Sequence, residues 1–260
     1  MEIRVLGPVE VIVDTVPLRL GGPRQERILA TLVVSAGCLV ATSVLVDVLW
    51  PARPPATARN QVQNCVGTLR RKLVAGGMPE SDLTRKGPGY VLALDPRQLD
   101  VTRFVDMVGR ARLLANAGRA EDAVCLLRQA DELWRGPALA GLAEGALAGE
   151  ALRMEELRMA AIEERIGLEL SLGRHSLCVS ELTALARAHP LRDRLQAELM
   201  VALHRCGRSA DALYVFDRTR QLLNEEFGLE PGADLRRLQH LILTDSPELA
   251  RATQFRQPAS

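Results

Sequence analysis

The sequence contains no run of about 18 apolar residues, so nothing in it is expected to span a membrane. Its start, MEIRVLGPVEV, lacks the basic leader and long apolar core of a signal peptide, and the expected location is the cytoplasm, at the nucleoid. The five cysteines, Cys38, Cys65, Cys125, Cys178 and Cys206, are odd in number and form no CxxC. Each lies in an apolar helical context and reads as a buried free thiol in a reducing compartment. The four histidines, His175, His189, His204 and His240, meet cysteine only in pairs, as His175 does Cys178. A bound metal needs three or four ligands, and such residues on Leu-rich helices are ordinarily structural. No metal, cofactor or catalytic centre is therefore expected, and the chain does not read as an enzyme. GxxxxGK followed by Ser or Thr is absent, which excludes a P-loop ATPase. Aromatic residues are scarce, while Ala, Leu and Arg dominate and favour helix.

What remains is a chain long enough for two domains, each with its own core. With 47% apolar residues, disorder is excluded over most of the length. The net charge of +1 conceals an asymmetry. Residues 24–86 hold nine Lys/Arg against four Asp/Glu, whereas residues 101–260 hold 21 against 23. A basic segment beside a mildly acidic one suggests one domain for a polyanion and another for something else.

The runs IRVLG, VEVIV and VPLRL read as strands of a small antiparallel sheet. After GGP comes a helix, RQERILATLVVSAG, with Ile28, Leu29, Leu32 and Val33 at helical spacing. TSVLVDVLW is a second, short helix opened by a Thr or Ser cap, and PARPPA is a stiff loop. ATARNQVQNCVGTLRRKLVAG is a third, longer helix, and LTRKGPGYVLAL reads as a hairpin around KGPG. On the third helix Val62, Val66, Leu69 and Leu73 share one face. Roughly opposite lie Asn60, Asn64, Gly67 and Arg71, flanked by Gln61, Thr68 and Lys72 on one side and Gln63 and Arg70 on the other. Asn and Gln pair bidentately with adenine edges, and Arg with guanine or phosphate. Three helices with a hairpin behind the third make a winged helix-turn-helix, whose third helix can enter the major groove of double-stranded DNA. The expected DNA-contacting set is Arg24, Arg59, Asn60, Gln61, Gln63, Asn64, Thr68, Arg70, Arg71 and Lys72, with Arg85 and Lys86 on the wing.

Beyond Asp100 the pattern is continuous amphipathic helix, with Met107, Leu113, Leu114, Val124 and Leu127 expected in its core. AGRAEDAVCLL, LGRHSLCVSEL and CGRSADALYVF share a Gly-Arg opening. Gly173 and Gly207 are 34 residues apart, the tetratricopeptide period, while Gly118 and Gly173 are 55 apart and imply an insertion. The expected fold is mainly α with a small β component: a winged helix over 1–96, an all-α tetratricopeptide-like repeat domain over 97–246 and a tail over 247–260.

With both halves in place, the chain resembles the Streptomyces antibiotic regulatory proteins, actinobacterial activators that join an OmpR-like winged helix to a bacterial transcriptional activation domain. The phrases that carry the resemblance are GGPRQERILATLVVSAG, LVDVLW, PPATARNQVQNCVGTLRRKL, TRKGPGYVL, LWRGPALAGL, AHPLRDRLQAELMVALHRCGRSADALYVFDRTRQLL and EEFGLEPGADLRRLQ, in order over about 245 residues. The resemblance implies binding to direct repeats in promoters, a side-by-side pair on DNA, recruitment of RNA polymerase with its sigma factor, and activation of a secondary-metabolite gene cluster. It points to Asn60, Thr68 and Arg70 as readers. It places Lys86 where OmpR-like wings carry a minor-groove Arg, and the loop WPARPPA, with Trp50 and Arg53, where those activators touch polymerase. With no receiver domain and no ATPase module, the chain matches the small type. The alternative reading is a tetratricopeptide adaptor whose winged helix contacts protein, against which the basic, amide-rich helix face argues.

Overall fold

The computed structural model describes residues 1–250. The chain forms two compact units, and neither is a continuous stretch. The first combines Met1–Gly109 with Arg128–Met159; the second combines Arg110–Leu127 with the chain from Ala160 onward. The first unit thus takes in residues that a boundary at 96/97 assigns to the second half of the sequence.

The first unit opens with strands β1 (Glu2–Arg4), β2 (Glu10–Val13) and β3 (Val16–Pro17), an antiparallel sheet in that order. Ile3 faces Val11 across the first pair, and both are fully buried. Helix α1 (Pro23–Val34) starts on a proline, whose missing N–H costs nothing at a helix N-terminus. Its Ile28, Leu29, Leu32 and Val33 are buried. After the two-residue strand β4 (Val40–Ala41) comes α2 (Thr42–Leu49). The expected Thr or Ser side-chain cap is not made. Ala41 occupies the cap position, and the Thr42 hydroxyl donates instead to the Pro88 carbonyl at 2.7 Å, tying the helix to the hairpin. Helix α3 (Ala58–Ala75) packs on α1 and α2 through buried Val62, Val66, Leu69 and Leu73.

Strands β5 (Leu83–Lys86) and β6 (Gly89–Leu92) form the hairpin, and β4 joins on the far side of β6. Two glycines have separate reasons. Gly87 turns the chain at φ +51°. A Cβ on Gly89 would lie 2.1 Å from the Val40 carbonyl oxygen, so β4 pairs with β6 only because no side chain is there.

Helix α4 (Asp100–Asn116) is anchored at its first residue. The buried Asp100 carboxylate accepts the N–H groups of Val5 at 2.9 Å, Leu6 at 3.0 Å and Val101 at 2.8 Å. Residues 135–140 run alongside 5–7: Arg135 N–H donates to Leu6, Leu139 to Val5 and Ala140 to Gly7. The Arg135 guanidinium then meets Glu10 at 2.6 Å and Asp100 at 3.5 Å. Trp134 packs edge-on against Phe104, ring centroids 5.6 Å apart, with the Arg158 guanidinium over its face.

Helices α5 (Ala120–Asp131), α6 (Ala148–Ser171), α7 (His175–Ala188), α8 (Asp193–Arg205), α9 (Ser209–Phe227) and α10 (Ala233–Leu243) complete the chain. The three Gly-Arg steps close three helices identically. Gly118, Gly173 and Gly207 all have φ between +75° and +80°, rounding to the same left-handed turn. The following Arg N–H donates five residues back each time, Arg119 to Leu114, Arg174 to Glu169 and Arg208 to Leu203, as in a Schellman closure. Arg119 and Arg208 also each pair with an Asp three residues on, at 2.7 Å.

Two further expectations fail. Leu113 is 70% exposed, because the buried line of α4 is Phe104, Val108 and Ala111. Nine residues from Phe104 at about 100° each bring Leu113 half a turn away. Met107 and Leu114 are half-buried, and Val124 and Leu127 are buried as expected. Of the cysteines only Cys178 is buried; Cys38 and Cys125 are exposed. The expected tail over 247–260 lies mostly outside the described residues.

Candidate nucleic-acid interface

One face of α3 is spoken for by the core, and the opposite one is open. Arg59, Asn60, Gln63, Asn64, Gly67 and Arg71 are all exposed along it. Arg59, Asn60, Gln63 and Asn64 make no side-chain hydrogen bond or ion pair among the described residues. Arg71 reaches only the Thr68 hydroxyl, at 3.3 Å. Gln63, Asn64, Gly67, Thr68 and Arg71 line an open groove of about 720 Å³. Its floor is Gly67, where an added Cβ would meet nothing within 4 Å. Glycine inside a helix costs about 1 kcal/mol relative to alanine, so no neighbour in this chain accounts for it.

The remaining expected residues are distributed differently. Arg70 turns to Glu80 at the edge of the groove and forms an ion pair at 2.5 Å. Lys72 turns the other way: its ammonium donates to the Arg19 carbonyl at 2.9 Å and lies against Gly21. Arg24 donates to the Gln61 side chain at 3.1 Å, and Gln61 donates to the Thr57 hydroxyl at 3.0 Å. The Arg24 guanidinium also lies 5.2 Å from the ring centroid of half-buried Trp50, a cation–π contact. Arg24, Gln61 and Trp50 thus form one supported cluster joining α1, α3 and the loop after α2. Arg53 is exposed in that loop and Arg85 and Lys86 are exposed beside the Gly87 turn, all three without a side-chain partner among the described residues. The Glu80 counter-charge was not visible in sequence, because a contact ten residues downstream through a loop follows no period. The open space at Gly67 was legible only as an unfavourable residue in a good helix.

The His175 and Cys178 pair is engaged in the fold. His175 Nε2 lies 3.2 Å from Arg205, and burial pushes its pKa down, towards the neutral ring. The Cys178 thiol donates to Glu169 and is pushed up to about 12, first by burial and then by that carboxylate. Among the described residues no group of three or more His, Cys, Asp or Glu is placed to hold a metal ion. Among the described residues no helix is long and apolar enough to cross a membrane.

These features define a mainly helical protein that presents one polar helix face and, on the hairpin, the Arg85 and Lys86 side chains without a partner among the described residues. The family described as "Bacterial transcriptional activator domain" matches residues 99–243. The regulatory protein DnrI of Streptomyces peucetius is 36% identical over 258 residues, covering 96% of this chain and 95% of its own length. The regulatory protein AfsR of Streptomyces coelicolor is 39% identical over 246 residues, and the chain spans about a quarter of its length. A solved structure of Mycobacterium tuberculosis EmbR in complex with a low-affinity phosphopeptide superposes with a TM-score of 0.90 at 31% identity, over 97% of this chain and 67% of that one. The chain belongs to the Streptomyces antibiotic regulatory protein family of transcriptional activators, which carry the bacterial transcriptional activator domain. The names of the family and of these relatives are those of regulators, not of enzymes.

Proposed function

We propose that the protein binds direct repeats in promoter DNA and activates a secondary-metabolite gene cluster by recruiting RNA polymerase and its sigma factor. In this reading α2, α3 and the β5–β6 hairpin are a winged helix-turn-helix, with α3 in the major groove and Arg85 and Lys86 on the backbone or minor groove. The helices from α4 onward form a tetratricopeptide-like domain.

The observation that carries the reading is the row Arg59, Asn60, Gln63 and Asn64 on α3, whose side chains have no partner among the described residues. Amides pair bidentately with adenine edges, and Arg59 and Arg71 add cations for guanine or phosphate. A bare Gly67 between them lets the helix seat deeply. Arg24, Gln61, Arg70 and Lys72, already held within the chain, support this face or must release a partner before they touch DNA. Trp50 and Arg53 sit on the loop assigned to polymerase, Trp50 braced by Arg24 and Arg53 free to be contacted. The single reader binds direct repeats as a head-to-tail pair, with repeats about 10–11 base pairs apart so that both copies meet one DNA face.

A gel-shift titration across salt concentrations tests this on the promoters adjoining the gene. Binding should weaken steeply with salt, and Asn64→Ala should cost about 1–3 kcal/mol on the specific site. Arg85→Ala with Lys86→Ala should flatten the slope of log K against log salt by about 1–2. Salt-independent binding, or no DNA binding at all with retained capture of a protein partner, would replace this reading by the adaptor.

A further inference from the structure

Helices α7, α8 and α9 enclose a groove of about 460 Å³, within the range of small-ligand sites. Its base is apolar: Leu199 and Leu203 from α8, and Val215 and Leu222 from α9. It follows α9 from Asp211 to Glu225, fourteen residue steps or about 21 Å. The walls are fixed beforehand. The buried Gln196 amide donates to the carbonyls of Ala186 at 2.9 Å and Pro190 at 3.4 Å, pinning the α7–α8 turn to α8. The Thr183 and Thr219 hydroxyls donate to carbonyls of their own helices, Val179 and Val215.

The charged groups lining the groove are unequally satisfied. Asp211 is held by Arg208 at 2.7 Å. Arg187 from α7 and Arg218 from α9 have no hydrogen-bond or ion-pair partner among the described residues. Glu225, at the far end, is the one lining carboxylate likewise without a partner. Two unpaired guanidiniums against one carboxylate leave the site cationic. The Tyr214 ring, 69% exposed, stands towards the opposite end, one turn in from Asp211, and offers an apolar face with a hydroxyl that has no partner among the described residues. An apolar body would cover the leucines and valine, and an anionic head would answer guanidiniums made for bidentate contact with carboxylate or phosphate.

We propose that this groove is a binding site for a small organic anion with an apolar body. The inference stands on α7–α9 alone and does not depend on the DNA reading.

Isothermal titration of the full chain tests it, with 1-naphthaleneacetate and decanoate as ring and chain probes and 1-naphthylmethylammonium as the charge-reversed control. At least one carboxylate should bind and raise the melting temperature, as any ligand selective for the folded state does. The ammonium should not bind. Arg187→Ala combined with Arg218→Ala should weaken binding at least tenfold while leaving the ligand-free melting temperature unchanged, since both side chains are exposed and unpaired. Tyr214→Trp should report binding by a shift in its emission, which locates the ligand in this groove. Equal binding of carboxylate and ammonium, undiminished affinity in the double variant, an unmoved Trp emission, or no binding of either carboxylate up to its solubility limit would each overturn the proposal.

Discussion

Gly67→Ala separates stability from recognition at a single position. Gly67 lies inside α3, exposed, and a Cβ there would meet nothing within 4 Å. The substitution removes backbone freedom from the unfolded chain and exposes less helix backbone to water, so it should stabilise the fold by about 0.8–1.0 kcal/mol. For a cooperative unit of this size that is a rise in melting temperature of about 2–4 °C. The same methyl raises the floor of the groove between Asn64 and Arg71. Hydrogen bonds hold over only about 2.7–3.2 Å, so lifting α3 by about 1 Å breaks bidentate contacts worth about 1–3 kcal/mol each. The variant should therefore melt higher and bind its promoter at least tenfold more weakly. Calorimetry and a gel shift on one preparation read both. A higher melting temperature with unchanged DNA affinity would refute the seating argument, and a lower melting temperature would refute the claim that the space is open.

Asp100→Ala leaves the N–H groups of Val5 and Leu6 buried without an acceptor and takes a carboxylate from Arg135. It should cost about 3 kcal/mol in denaturant unfolding, and an unmoved midpoint would show the anchor to be dispensable. Burial pushes the Glu198 carboxyl up to about 7 against the pull of Arg194, and its Oε2 has no partner among the described residues. The folded protein then binds the extra proton. This contribution is full below the unfolded value of about 4.3 and is lost as pH rises through about 7. Glu198→Gln should flatten that slope and gain up to about 3 kcal/mol at pH 8, which melting curves from pH 5 to 8 would detect. A thiol reagent should label exposed Cys38 and Cys125 first and Cys178 only on unfolding; early labelling of Cys178 would contradict its burial.

The apolar periods fixed most helices in the sequence because 3.6-residue spacing survives wherever one face is buried, as with Val62, Val66, Leu69 and Leu73. The same rule misplaced Leu113, since a Leu-Leu doublet does not say which of its members faces inward, and the phase is set by Phe104 further back. Strand β4 could not be read: Val40 and Ala41 are too short to alternate, and only the missing Cβ of Gly89 admits them. On α3 the open face was legible from the wheel. The departures of Arg70 to Glu80 and of Lys72 to the Arg19 carbonyl were not, because Glu80 opens a short 3-10 turn and Arg19 lies in a loop, and the path of both follows from tertiary packing.

The docking of residues 135–140 along residues 5–7 bears on how such regulators can be recombined. A graft that carried residues 1–96 into another protein would leave behind the carboxylate that caps Val5 and Leu6 and the backbone of Arg135, Leu139 and Ala140. The smallest transplantable form of this unit is therefore not a contiguous piece of chain. Exchanging front halves between relatives preserves the joint only where the recipient holds an Asp and an Arg in register with these. The exchange that crosses none of these bonds is much smaller: the outward residues of α3 alone, leaving Val62, Val66, Leu69 and Leu73 in place.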